Sequence, residues 1–166
     1  MVRIFATLMI ILLSPMAQAD VVFPPLTADD LNGRSLNLPA DLPGKPTIVF
    51  IAYKREQQPN VNARVEQLDL RETGGQAWIE LPVVGRGAVL FRSFVDNGMR
   101  LGITSPQMRA RNITIYSSRS AFNLALGISG RGEIYVALVD PDGTIHALVE
   151  GDVTEAKVEQ LRAAYP

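Results

Sequence analysis

Short apolar runs bounded by turn residues alternate along this chain with stretches of helical spacing, and their order predicts its layers. Thr47 to Ala52 (TIVFIA) is continuously apolar and rich in β-branched side chains, the pattern of a central strand buried on both faces. The polar loop Tyr53 to Gln58 follows, then Pro59 at the first turn of a helix in which Val61, Val65 and Leu68 recur at helical spacing, and Gly74-Gly75 ends the unit. Ala77 to Leu81 (AWIEL) and Asn112 to Tyr116 (NITIY) read as further strands, the latter a third parallel one. Between them Arg86 to Leu101 reads as a helix with little polar face. Such a helix is expected to be buried against the sheet, with a membrane-surface helix as the alternative. Ser117 or Ser118 caps a short helix through Phe122, Leu124 and Leu126, which Gly127 terminates.

Both ends of the chain carry hairpin signals. Near the start, Asn32-Gly33 joins two apolar-tending segments, and both residues tolerate positive φ. Near the end, Glu133 to Val139 and Thr144 to Val149 flank Asp140-Pro141-Asp142-Gly143, read as a turn and not as a cation loop, since calcium needs many more oxygen ligands in register. Asp152 with Glu155 predicts the cap of a last helix whose Val158, Leu161 and Tyr165 form an apolar stripe. The order predicts an α/β domain: a central mixed sheet flanked by helices on both faces, with an N-terminal β-hairpin.

The first residues change the picture of where the chain works. Arg3, the apolar run Ile4 to Leu13 and Ala17-Gln18-Ala19 have the form of a cleaved secretory leader. The expected division of the 166 residues is a signal peptide over 1–19, cleaved between Ala19 and Asp20, and one domain over 20–166 in the periplasm. No later stretch is apolar enough to span a membrane. Of the charged residues only Arg3 lies in the leader, so the whole-chain charge of −1 becomes −2 after cleavage, which argues against a nucleic-acid binder. There is no cysteine, hence no disulfide and no thiolate chemistry.

TIVFIAY followed by a loop and helix, and much later EIYVALVDPDGTIHALVEGDVT before a final helix, resemble the thioredoxin-like proteins. The closing hairpin and Leu126 to Ile128 are also similar to the cysteine-free thioredoxin-like assembly factors of mitochondrial ATP synthase. The first resemblance implies a thioredoxin-like fold over most of Leu26 to Tyr165 and sets Arg55 and Gln58 about where the redox cysteines would stand. Ile134 or a neighbour stands where the family usually keeps a cis-proline. Thiol-disulfide exchange is therefore excluded.

Other chemistry is thin. His146 is the only histidine, so a transition-metal site has little to build on and no metal or cofactor is expected. Gly127 to Gly132 (GISGRG) precedes a strand, whereas a phosphate loop precedes a helix. One charge pattern stands out: Gly85 to Arg131 holds Arg86, Arg92, Arg100, Arg109, Arg111, Arg119 and Arg131 against one acid, Asp96, a net of +6. Arginine forks suit carboxylates and phosphates, although a scattered solvated surface has the same sequence signature. Arg55, Arg119 and Arg131 are expected to share the rim at strand C-terminal ends, with Arg109 and Arg111 at the other end of their strand. The sequence therefore supports a noncatalytic domain binding a protein partner, acidic or membrane-embedded, as an envelope assembly or folding factor. The alternatives are a cysteine-independent enzyme with Glu56 as acid or base and Arg55 as anion clamp, and a protein binding small anions or lipid headgroups.

Overall fold

The computed structural model describes residues 21–71, 75–152 and 154–165; the leader expected over 1–19 and its junction at Ala19–Asp20 lie outside the described residues. β1 (Leu26–Asp30) and β2 (Ser35–Leu38) pair antiparallel, as the Asn-Gly signal predicts. Only Gly33 takes positive φ, at 87°; Asn32 does not, so the turn differs from the expected two-residue form. Asp30 explains the difference, because its Oδ1 accepts the backbone N–H groups of Asn32 and Arg34 at 2.8 and 2.9 Å and braces a longer turn.

β3 (Thr47–Ala52) has the bounds of its apolar run, and a 3-10 turn (Arg55–Gln57) leads from it into α1 (Gln58–Gln67). β4 (Trp78–Pro82) lies parallel to β3. A second 3-10 turn (Arg86–Phe91) continues into α2 (Arg92–Gly102) and then α3 (Pro106–Arg111), a helix not foreseen in the sequence. β5 (Ile113–Thr114) and α4 (Arg119–Ala125) follow, with Ser118 Oγ accepting the Ala121 N–H as the cap. β6 (Tyr135–Val139) and β7 (Ile145–Glu150) make the closing hairpin, and α5 (Glu155–Ala163) ends the chain, capped by Thr154 and not by Asp152.

Four strands form a mixed sheet in the order β4-β3-β6-β7, and β2-β1-β5 form an antiparallel one. The NITIY segment corrects its expectation in part. Its regular pairing shrinks to two residues, and that pairing is antiparallel, to β1. Its parallel alignment with β4 survives as the single bridges Glu80–Asn112 and Val83–Ile115, which connect the two sheets.

Alternation along β3 places the helices. Val49 and Ile51 join a buried cluster with Phe122 and Leu126 around α4, while Ile48 and Phe50 join one with Val61 and Val65 of α1 and Leu161 of α5. Ile134, just before β6, is buried in the second cluster. Arg64 lies buried on α1, and its Nη2 donates to the carbonyls of Gly151 (2.8 Å) and Asp152 (2.7 Å), tying α1 to the turn before α5. Arg64→Ala is expected to cost about 2–3 kcal/mol, since it strands two carbonyls and opens a void. Arg64→Met, which keeps the stem packing, should cost less in urea unfolding; equal losses would assign the effect to the charge alone.

Candidate functional site

The loops after β3, β4 and β5 and the segment before β6 meet at one edge of the sheet, where an open α/β fold builds its sites. The loop after β3 is the redox-loop position, and it is locked from within. Gln57 is buried between exposed Glu56 and exposed Gln58. Its Oε1 accepts the N–H groups of Tyr53 (2.7 Å) and Lys54 (3.1 Å), and its Nε2 donates to the carbonyls of Arg131 (3.2 Å) and Gly132 (3.0 Å). One side chain thus satisfies four backbone groups on two segments, using its full amide.

Tyr53 extends the lock. Its hydroxyl donates to Asn123 Oδ1 at 2.6 Å, and Asn123 Nδ2 donates to the Gly130 carbonyl at 3.2 Å. The Tyr53 and Tyr135 rings meet edge to face, 6.4 Å between centroids. Burial, then the neighbouring Tyr135, pushes the Tyr53 hydroxyl well above its ordinary acidity range, so it stays a neutral donor. At the loop where the resemblance sets Arg55 and Gln58 in place of redox cysteines, this chain carries a closed hydrogen-bond network.

Beside the lock, the apolar run of residues 86–101 overturns its expectation. It is not buried against the sheet: Leu90, Phe91, Phe94 and Leu101 are 90, 64, 82 and 84% exposed, and α2 contains no fully buried residue. The half-buried positions of α2 are Arg92, Val95, Asp96, Met99 and Arg100, three of them charged. Those charges hold the helix to the domain. Arg92 Nη2 meets Asp29 Oδ2 at 2.6 Å, Tyr116 donates to Asp96 Oδ1 at 2.7 Å, and Arg100 Nε donates to the Leu31 carbonyl at 2.6 Å. A polar stripe faces inward, and Leu90, Phe94 and Leu101, at near-helical spacing, face out. Burial of the outer face within the monomer would break these contacts.

A cleft of about 940 Å³ lies between the second 3-10 turn and α4, lined by Phe91 from the turn and by the 84% exposed Leu124 from the helix. Arg86, Arg119 and Arg131 line it, and among the described residues no acid does. Arg119 is fixed at its base: Nε donates to the Val83 carbonyl at 3.1 Å and Nη2 to the Val84 carbonyl. Gly85, at φ 92°, makes room for that guanidinium, because a Cβ there would stand 2.8 Å from Arg119 Nε.

The remaining predicted site residues fall elsewhere. Arg119 and Arg131 share the cleft, but Arg55 does not line it. Arg55 and Glu56 are exposed, with no side-chain hydrogen bond or ion pair among the described residues. Arg109 donates to the Ile103 (2.6 Å) and Arg100 (2.9 Å) carbonyls, and Arg111 stacks over Trp78 at 4.8 Å and donates to the Trp78 carbonyl, so both brace α3. His146 Nε2 lies 3.1 Å from Asp140 Oδ2 on the closing hairpin. Among the described residues no cluster of ligating side chains could hold a metal, and no helix is long and apolar enough to cross a membrane.

Gln58 reaches Glu80, a group with no signature in the sequence. Its Nε2 donates to Glu80 Oε2 at 3.2 Å, which also accepts from Asn112 Nδ2 at 3.2 Å. Burial raises the Glu80 carboxyl above the ordinary 4.5, and the two donors and Arg71 offset part of that rise. The folded chain therefore binds this proton more tightly than the unfolded chain. Stability attributable to Glu80 is present at low pH and is lost as pH rises from about 4.5 through the folded value. Glu80→Gln is expected to flatten that decline in thermal melts; an unchanged pH profile would place the slope on another group.

Neither a protein-family model nor a curated protein matches the sequence. Solved structures do match in shape. BsSco, a member of the Sco family of cytochrome c oxidase assembly proteins, aligns over 89% of this chain and 95% of its own, at 13% identity and a TM-score of 0.55. The exposed lipoprotein thioredoxin of Streptococcus pneumoniae aligns over 85% and 98%, at 12% identity and 0.56. A thioredoxin-family thiol:disulfide interchange protein of Chlorobium tepidum TLS aligns over 91% and 100%, at 14% identity and 0.53. What they share with this chain is the thioredoxin-like fold.

Proposed function

We propose that this thioredoxin-like domain, which lacks cysteine, is an exported, noncatalytic module that binds a protein partner in the cell envelope and serves there as an assembly or folding factor. The observation that carries the reading is the α2 ridge. A run of large apolar side chains left exposed together points to an interaction site, and here polar anchors from Arg92 and Asp96 hold the helix to the domain. The closed Gln57 network supports the noncatalytic half, because it fills the loop where the fold's chemistry normally sits. The leader-like first residues support export. Two analogies agree with an assembly role: the resemblance to ATP synthase assembly factors, and the shape shared with a cytochrome c oxidase assembly protein.

The test is chemical crosslinking of the tagged domain in its native envelope fraction. One dominant protein partner is expected, and an envelope with no partner above background would remove the reading.

A further inference from the structure

The cleft between the second 3-10 turn (Arg86–Phe91) and α4 specifies what kind of segment its partner offers. We propose that it takes a protein segment that sets a carboxylate among Arg86, Arg119 and Arg131 and lays adjoining apolar side chains on Phe91 and Leu124. This inference rests on the partner-binding reading and deepens it.

Charge complementarity is the first argument. Arg86, Arg119 and Arg131 line one concavity, and among the described residues no acid lines it and none of the three makes an ion pair. Arg92, by contrast, is paired with Asp29 and Asp96. Unneutralised arginines held close together repel one another, and an incoming carboxylate relieves that repulsion while accepting forked hydrogen bonds. Arg119 is already oriented by two backbone carbonyls, so it loses little side-chain freedom when it engages a ligand. Exposed Arg86 and Arg131 line the same cleft, one at the start of the second 3-10 turn and one on the segment before β6.

Shape supplies the second argument. The cleft, at about 940 Å³, is large enough for a few residues of chain. It is flanked by apolar side chains on both sides, so a segment seated in it touches Phe91 and Leu124 at once. A bilayer surface lies across exposed apolar side chains and leaves a concavity beside them unfilled. An inorganic anion uses the arginines and leaves the apolar flanks in water. Only a chain segment carrying both chemistries covers the whole site.

Selection from a displayed random-peptide library on the immobilised domain tests this. The enriched peptides are expected to combine an apolar run with Asp or Glu. Binding of a synthetic copy should weaken at least about tenfold in Arg86→Ala and again in Arg131→Ala, both exposed positions whose loss leaves the fold intact. Enrichment of apolar peptides without acids, with affinity indifferent to both arginines, would overturn the carboxylate proposal and leave the partner-binding ridge standing. Failure to enrich any peptide would overturn the proposal too. Failure accompanied by salt-sensitive binding to phosphatidylglycerol vesicles would assign the face to membrane and remove the protein-partner reading with it.

Discussion

Replacing Leu90 and Phe94 together by aspartate is expected to reduce partner capture by roughly 100-fold while leaving the melting temperature unchanged or slightly higher. The two halves of this result have one cause. Both side chains are more than four-fifths exposed in the monomer, so charging them removes nothing from the core and hides apolar surface from no neighbour. In a complex they would be the central apolar anchors of the ridge, and a buried unpaired carboxylate in their place is strongly unfavourable. A drop in melting temperature of several degrees would mean that the ridge is part of the domain's own packing. Unchanged capture with unchanged stability would mean that partners bind elsewhere.

Gln57→Ala is expected to destabilise the domain by about 3 kcal/mol, roughly 6–12 °C in melting temperature for a domain of this size. The substitution strands the N–H groups of Tyr53 and Lys54 and the carbonyls of Arg131 and Gly132, two of them on a segment more than seventy residues away. Gln57→Glu separates the two sides of the lock: a carboxylate still accepts from Tyr53 and Lys54 but cannot donate to the carbonyls of Arg131 and Gly132, and it faces them with negative charge. It should therefore be the less stable substitution at neutral pH and recover as the pH falls. If Gln57→Ala melts like the parent, water replaces the side chain and the loop is not locked.

Where local chemistry decides, the sequence announced the structure. The continuously apolar run of Thr47 to Ala52, rich in β-branched side chains, forms the two-sided buried strand it predicts, and the Pro-Asp-Gly turn closes the last hairpin. Where partners come from far along the chain, it was silent. Gln57 reads like its exposed neighbours Arg55, Glu56 and Gln58, because what distinguishes it is contact with Arg131 and Gly132. The run 86–101 shows the same limit in another form. Counting apolar residues predicts burial, whereas Arg92, Asp96 and Arg100, four residues apart, already drew a polar stripe along one helical face. That stripe turned inward because Asp29, Tyr116 and the Leu31 carbonyl wait for it on other elements. The α3 helix did carry a local signal, Ser105 as cap with Pro106 at the first turn, and Ser105 Oγ does accept the Met108 N–H. Clustering of arginines in sequence was half a guide to the site: Arg86, Arg119 and Arg131 line one cleft, while Arg109 and Arg111 are spent bracing α3.

Position-specific photocrosslinking bears most directly on the claim that α2 presents a partner-binding face. A photoreactive amino acid at position 94, on the ridge, is compared with one at position 155, an exposed site on α5. In the native envelope fraction, one discrete protein adduct is expected from position 94 and none of that mass from position 155. Equal labelling from both positions, or a lipid adduct in place of a protein at position 94, would contradict it.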